Sequence, residues 1–202
     1  VANFRILGED ACMVLPRKGE PTLFISQLWD EERARRESWV EDIQVYSGDL
    51  TKQAGRLAAA SGATVGVVGA EHMSSQKHAA LMHELRGKTV TNEYAALDEL
   101  AKVKTPWEVE VMRECAKLAD RAYEAEMAAL RVGVSEFELI AELEYAMKCG
   151  GADENFQMIG MGKNLPSMNR AKENYLNMGD FVLTEITPII GSITYATQLC
   201  RT

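Results

Sequence analysis

The sequence predicts an α/β protein built in two parts. Three observations carry this. Short apolar runs alternate with segments of helical apolar spacing through the first half. Two S/T-x-x-E capping boxes, Thr105 to Glu108 and Ser135 to Glu138, open long helical patterns in the second half. After Gly151 the spacing changes again, from the helical period to strand-like runs.

In the first half, residues 11–15 and 22–25 are apolar runs joined by Pro16-Arg17-Lys18-Gly19-Glu20-Pro21, which reads as a hairpin turn. Residues 30–36 form a charged surface helix, and 43–46 a strand. Leu50, Ala54, Leu57 and Ala58 give a helix over 50–61, which Gly62 ends. Thr64-Val65-Gly66-Val67-Val68-Gly69 reads as a buried strand. A helix over 74–85, with Gly87 after it, leads to a last strand at 88–91. These elements make an N-terminal α/β domain over 1–104, a usual domain size.

The second part, 105–202, starts with a clear helix signal. Thr105 suits the N-cap and Pro106 the N1 position, and apolar residues from Trp107 to Leu130 line one face for about six turns. Gly133 separates this helix from the next, which carries Phe137, Ile140, Leu143 and Met147 and stops at Gly150-Gly151. A strand follows at 156–162, then a polar loop at 163–177 and a turn at Gly179-Asp180. Residues 181–187 and 192–198 read as paired strands, with Pro188 and Gly191 bracketing their connection.

Composition excludes several classes. The 202 residues are 47% hydrophobic and 26% charged, a globular mixture too apolar for intrinsic disorder. A net charge of −8 argues against a nucleic-acid partner, which needs a basic face. The second part carries most of this charge, with 15 acidic against 9 basic residues, as expected of solvated helix surfaces. No apolar run approaches the roughly 20 residues that cross a bilayer, so no membrane association is expected. Cys12, Cys115, Cys149 and Cys200 lie far apart without a CxxC pair, which predicts reduced, buried thiols in a cytoplasmic protein. His72, His78 and His83 all fall in the first half. His78 and His83 are five apart, a poor match to the i, i+4 spacing of a helical metal pair. The opening Val1-Ala2-Asn3-Phe4-Arg5 has no signal-peptide pattern, and an N-terminus cut close to a strand is expected.

From Lys104 onward the residues resemble a known family. Lys104-Thr105-Pro106-Trp107-Glu108 to Met112-Arg113 is similar to a "K-T-x-x-E-x-x-x-M/I-R" start. Gly133 to Glu138 is similar to a "G-x-(S/T)-E-x-E" turn, Leu176 to Leu183 to "L-x-x-G-D-x-V-L", and Tyr195 to Thr202 to "Y-x-x-D-x-x-R-T". These are motifs of the pita-bread domain of peptidase family M24, which holds creatinase, prolidase and Xaa-Pro aminopeptidase. The hairpin at Leu15 to Pro21 and the helix at Glu31 to Arg35 resemble the creatinase-type N-terminal domain of the same family. The resemblance implies an incomplete N-terminal domain followed by the first part of a pita-bread domain, in a chain that is a fragment of a longer one and inactive alone. It also implies a homodimer and hydrolysis of a C–N bond in a small amino-acid-like or guanidino compound.

The departures from the family pattern bear on the chemistry. Its metallopeptidases hold two metal ions with two Asp, one His and two Glu. The first Asp position is Glu185 here, the second is Gln198, and the usual His position falls on Met168. No His follows His83, so the second part contributes no imidazole. The resemblance therefore implies a catalytic Glu185, a pocket wall of Phe156, Met168, Tyr195, Gln198 and Arg201, and no metal or other cofactor. Mn, Co or Zn is the disfavoured alternative. Two further readings stay open, a non-catalytic binding homologue and a metal-dependent aminopeptidase or prolidase. Glu185 also reads as an edge-strand residue facing solvent, and Arg201 as a surface ion-pair partner.

Overall fold

The computed structural model describes residues 2–164, 167–191 and 194–195, the last two by backbone alone. It divides into two compact units, Val1–Val103 and Lys104–Thr202.

In the first unit, β1 (Ala11–Val14) pairs antiparallel with β2 (Thr22–Ile25), and β2 pairs parallel with β3 (Asp42–Val45). All four residues of the central β2 are buried. Leu23 and Ile25 pack with Ala34, Val40 and Ile43, while Phe24 packs on the other face with Leu50 and Ala54. Such alternation is what a strand covered on both sides requires. The helix α1 (Glu31–Glu37) follows a single 3-10 turn that ends at Asp30. Asp30 is buried and accepts hydrogen bonds from the Arg33 guanidinium at 2.7 Å and the Gly8 N–H at 2.8 Å. The helix α2 (Leu50–Ser61) is capped by Asp49, which accepts from the N–H groups of Thr51 and Lys52.

The next strand departs from expectation. β4 (Thr64–Val67) alternates between exposed and half-buried residues and is not a buried strand. It pairs parallel with β5 (Thr89–Asn92) in a separate two-stranded sheet, joined through α3 (Ser75–Glu84). Among the described residues β1 and β4 each leave one edge unpaired. A cavity of about 430 Å³ is walled by both strands, with Ala54 and Ala58 of α2 and Leu81 of α3 also lining it. A further helix, α4 (Tyr94–Lys102), lies where none was expected.

In the second unit, α5 (Pro106–Ala129) and α6 (Glu136–Cys149) both start in complete capping boxes. The Ser135 hydroxyl accepts from the Glu138 N–H at 3.1 Å, and the Glu138 carboxylate accepts from the Ser135 N–H at 2.9 Å. The two helices bury Leu118, Ala119, Ala122, Leu143 and Met147 against Ile186 of the sheet. Each large side chain removed from water in this way contributes roughly 2 kcal/mol. Gly150 makes the packing possible, since a Cβ there would stand 2.2 Å from Leu118 Cδ2.

β6 (Glu154–Gly162) and β7 (Phe181–Ile190) pair antiparallel in unbroken register, and β8 (Thr194–Tyr195) follows on β7. β7 runs through Pro188, where the sequence predicts a break. Ile159 exchanges hydrogen bonds with Asn169, so the alternation of the ladder turns the backbone of Asn155 and its partner Pro188 away from the other strand. The proline therefore removes no β6–β7 bond. The polar stretch 163–177 is tied to the α5–α6 turn at several points. Leu176 and Val134 bond at 2.9 Å, and the buried Glu136 carboxylate accepts from the Lys172 N–H and the Asn174 side chain at 3.0 and 2.8 Å. No helix among the described residues is long and apolar enough to cross a membrane.

Candidate active site

β7 sorts its side chains onto two faces. Thr184 bonds to Glu126 of α5 and Ile186 lies in the helix-side core, so Glu185 and Thr187 face the other way. Register then fixes their neighbours. Met158 stands opposite Glu185, Phe156 opposite Thr187, and Gly160 opposite Leu183. Glu185 is only 4% exposed, which overturns the solvent-facing reading of this residue. Phe156 is 49% exposed on the same face.

Met168 precedes Asn169, whose pairing with Ile159 extends the sheet beyond β6. This register sets Met168 beside Gly160, one row from the Met158–Glu185 pair. Tyr195 pairs through its backbone with Ile189. The Tyr195 side chain, Gln198 and Arg201 lie outside the described residues.

Three groups emerge that sequence reasoning missed. Thr187 is buried, and its hydroxyl has no hydrogen-bond partner among the described residues. Met158 forms the apolar neighbour of Glu185. Glu126 is buried beneath β7, beside a cavity of about 270 Å³ also lined by Tyr123, Leu130 and Thr184. Burial pushes the Glu126 carboxyl above its usual range, with the Thr184 hydrogen bond acting against it. Period-two counting from Glu185 would have found Thr187. The others depend on strand register and helix packing. The cysteines are only partly as expected. Cys12, Cys115 and Cys149 are free, but Cys149 is exposed.

Residues 110–202 match the model of Metallopeptidase family M24. The match lies within the second unit. The chain is 25% identical over 191 residues to the Xaa-Pro dipeptidase of Pyrococcus furiosus, covering 91% of the chain and 51% of that protein. It is 31% identical over 126 residues to the Bacillus subtilis protein YkvY, covering 60% of the chain and 34% of that protein. The chain thus spans about a third to a half of the curated relatives it matches. Its fold is similar to the Xaa-Pro dipeptidase from Bacillus anthracis, with a TM-score of 0.78 at 23% identity over 99% of the chain and 55% of that structure. The prolidase from Pyrococcus furiosus gives a TM-score of 0.70 over 84% of the chain and 52% of that structure, at 23% identity. The fold is mixed α/β and corresponds to part of the pita-bread architecture of these prolidases.

The family name implies a metal, and the described donors beside Glu185 do not make up a dinuclear centre. Among the described residues its neighbours by register on β6 and β7 are Met158, Leu183, Gly160, Thr187 and Phe156, none of them a second carboxylate or an imidazole. Among the described residues no group of three or more His, Cys, Asp or Glu side chains could hold a metal ion.

Proposed function

We propose that the protein is an M24-type hydrolase of a C–N bond in a small amino-acid-like compound, working through Glu185 and without a dinuclear metal. The observation that carries this reading is the burial of Glu185 beside Met158 on the sheet face turned away from the helices. A carboxylate shielded from water interacts more strongly with a nearby proton donor than one in bulk solvent. Glu185 takes a proton from the attacking water as its oxygen bonds to the scissile carbon. The C–N bond then breaks, the proton passes from Glu185 to the leaving nitrogen, and the carboxylate is restored. Such general acid–base transfer contributes typically 10²–10⁴-fold. Phe156, Met168, Tyr195, Gln198 and Arg201 form the pocket wall in this reading. The relatives named as Xaa-Pro dipeptidases make Xaa-Pro dipeptides the first compounds to test, with guanidino compounds next. A homodimer in the cytoplasm belongs to the same proposal.

A second reading, a binding homologue without turnover, is favoured by one observation. Residues 84–202 of the given sequence hold no histidine, the side chain that most often carries general acid–base transfer. Hydrolysis assays on Xaa-Pro dipeptides and creatine-like compounds, run beside metal analysis of the purified full-length protein, separate these readings. Turnover without bound metal is the expected result. Binding without turnover selects the second reading, and two tightly held transition ions per subunit reject the metal-free mechanism.

A further inference from the structure

The helix side of β7 carries a cavity that takes no part in the proposed hydrolysis. Tyr123, Glu126, Met127 and Leu130 recur at positions i, i+3, i+4 and i+7 of α5 and its C-cap, so they share one helix face. A helix face packed on a sheet is ordinarily apolar, and Glu126 breaks this one. The cavity between this face and the start of β7 measures about 270 Å³. An apolar cavity of about 150 Å³ holds benzene, so this one has room for a ring with a short side arm.

The charge inside the cavity is one-sided. Glu126 is buried, and Thr184 is the one hydrogen-bond partner of its side chain among the described residues. Thr184 donates to Oε1, which leaves Oε2 without a donor there. A carboxylate offers about four acceptor sites, and burying it with most of them unfilled is costly. The half-buried Asp180 adds a second carboxyl to the wall and accepts from the Asn177 N–H at 2.9 Å. Among the described residues no Lys, Arg or His lines the cavity. Tyr123 and Phe181 do, and aromatic rings attract cations to their faces. Met127 and Phe181 are about half exposed and give the cavity its solvent side. Two carboxyl groups do not enclose a metal ion, and no third donor stands with them among the described residues. A ligand suited to this wall therefore brings its own positive charge on an apolar body.

We propose that the cavity binds a small primary ammonium compound, with its charged head on Glu126 and its apolar body against Leu130 and Ile186. The three N–H donors of an ammonium supply what Oε2 lacks, and such charge-assisted bonds are the strong ones. Burial raises the Glu126 carboxyl, and a cation at this distance acts against that rise. The site is independent of the hydrolase reading, because Glu185 faces the other side of the sheet.

The test is calorimetric titration of the full-length protein with benzylammonium and with benzyl alcohol, which keeps the ring and lacks the charge. The unsubstituted protein should bind benzylammonium about ten- to hundredfold more tightly than the alcohol, the effect of one charge-assisted contact. Glu126→Gln preserves the bond to Thr184 without the negative charge, so benzylammonium should fall to the affinity of the alcohol. A circular dichroism spectrum like that of the unsubstituted protein shows that this variant is folded. Glu185→Gln should leave the preference for the ammonium unchanged. If the unsubstituted protein does not prefer benzylammonium, or if Glu126→Gln keeps the preference, the cavity is not an ammonium site. If Glu185→Gln abolishes the preference instead, the cation lies on the opposite face of the sheet and the assignment to Glu126 fails.

Discussion

Thr184 donates its hydroxyl hydrogen to Glu126, and this bond fixes a buried carboxyl on the side of the sheet opposite Glu185. The two carboxyl groups flank one strand, yet they do not share a site. Burial is the main influence on Glu126 and raises its folded pKa above the unfolded value of about 4.3. A raised carboxyl contributes stability that is complete below the unfolded pKa and is lost as pH rises through the folded pKa. Glu126→Gln keeps an acceptor for Thr184 and removes the charge. It should stabilise the protein by about 1 kcal/mol at pH 7 and have little effect near pH 4, as read by urea unfolding at both values.

Asp30 carries the opposite sign. Burial alone would raise its pKa, but the Arg33 guanidinium and the N–H groups of Gly8 and Leu7 outweigh burial and hold it below the usual carboxylate range. Its contribution is present above the unfolded pKa of about 3.9 and disappears as pH falls through the folded value. Asp30→Asn should cost about 2 kcal/mol at neutral pH and flatten the acid limb of the stability curve.

Glu136 anchors the stretch 163–177 from the start of α6. Its carboxylate satisfies the Lys172 N–H and the Asn174 side chain, which in turn also donates to the Met161 carbonyl at 3.0 Å. Glu136→Ala removes the acceptor of two part-buried donors and should cost about 1–2 kcal/mol. Limited proteolysis should show faster cleavage within 163–177, and Glu136→Gln should lie between the two.

Glu185→Gln tests the proposed chemistry apart from stability. Turnover of a hydrolysed dipeptide should fall at least about 100-fold, while the thermal midpoint moves by no more than a few degrees. Unchanged turnover would remove Glu185 from the mechanism.

Local signals in the sequence account for much of the fold. The Thr105 and Ser135 boxes mark the helix starts because the cap is a bond between residues three apart. The Pro16–Pro21 turn lies between β1 and β2 for the same local reason. α4 was missed because its start carries no side-chain cap, although Tyr94, Leu97 and Ala101 recur at helical spacing. β4 was misjudged because its Val-Gly-Val run resembles a core strand, whereas burial depends on which neighbours flank it. The site was only half legible. Glu185 follows from its spacing after Gly179-Asp180, but its neighbour Met158 comes from a pairing between segments distant in sequence.

The edges of β1 and β4, unpaired among the described residues, also bear on how the chain behaves in concentrated solution. Each presents free peptide donors and acceptors on the wall of a preformed gap, and such an edge is a template for capturing another extended chain. Backbone hydrogen bonding at these edges therefore favours association of the chain. Surface charge is a weaker guide, because a net charge of −8 repels whole molecules at long range but leaves these peptide groups unsatisfied at contact.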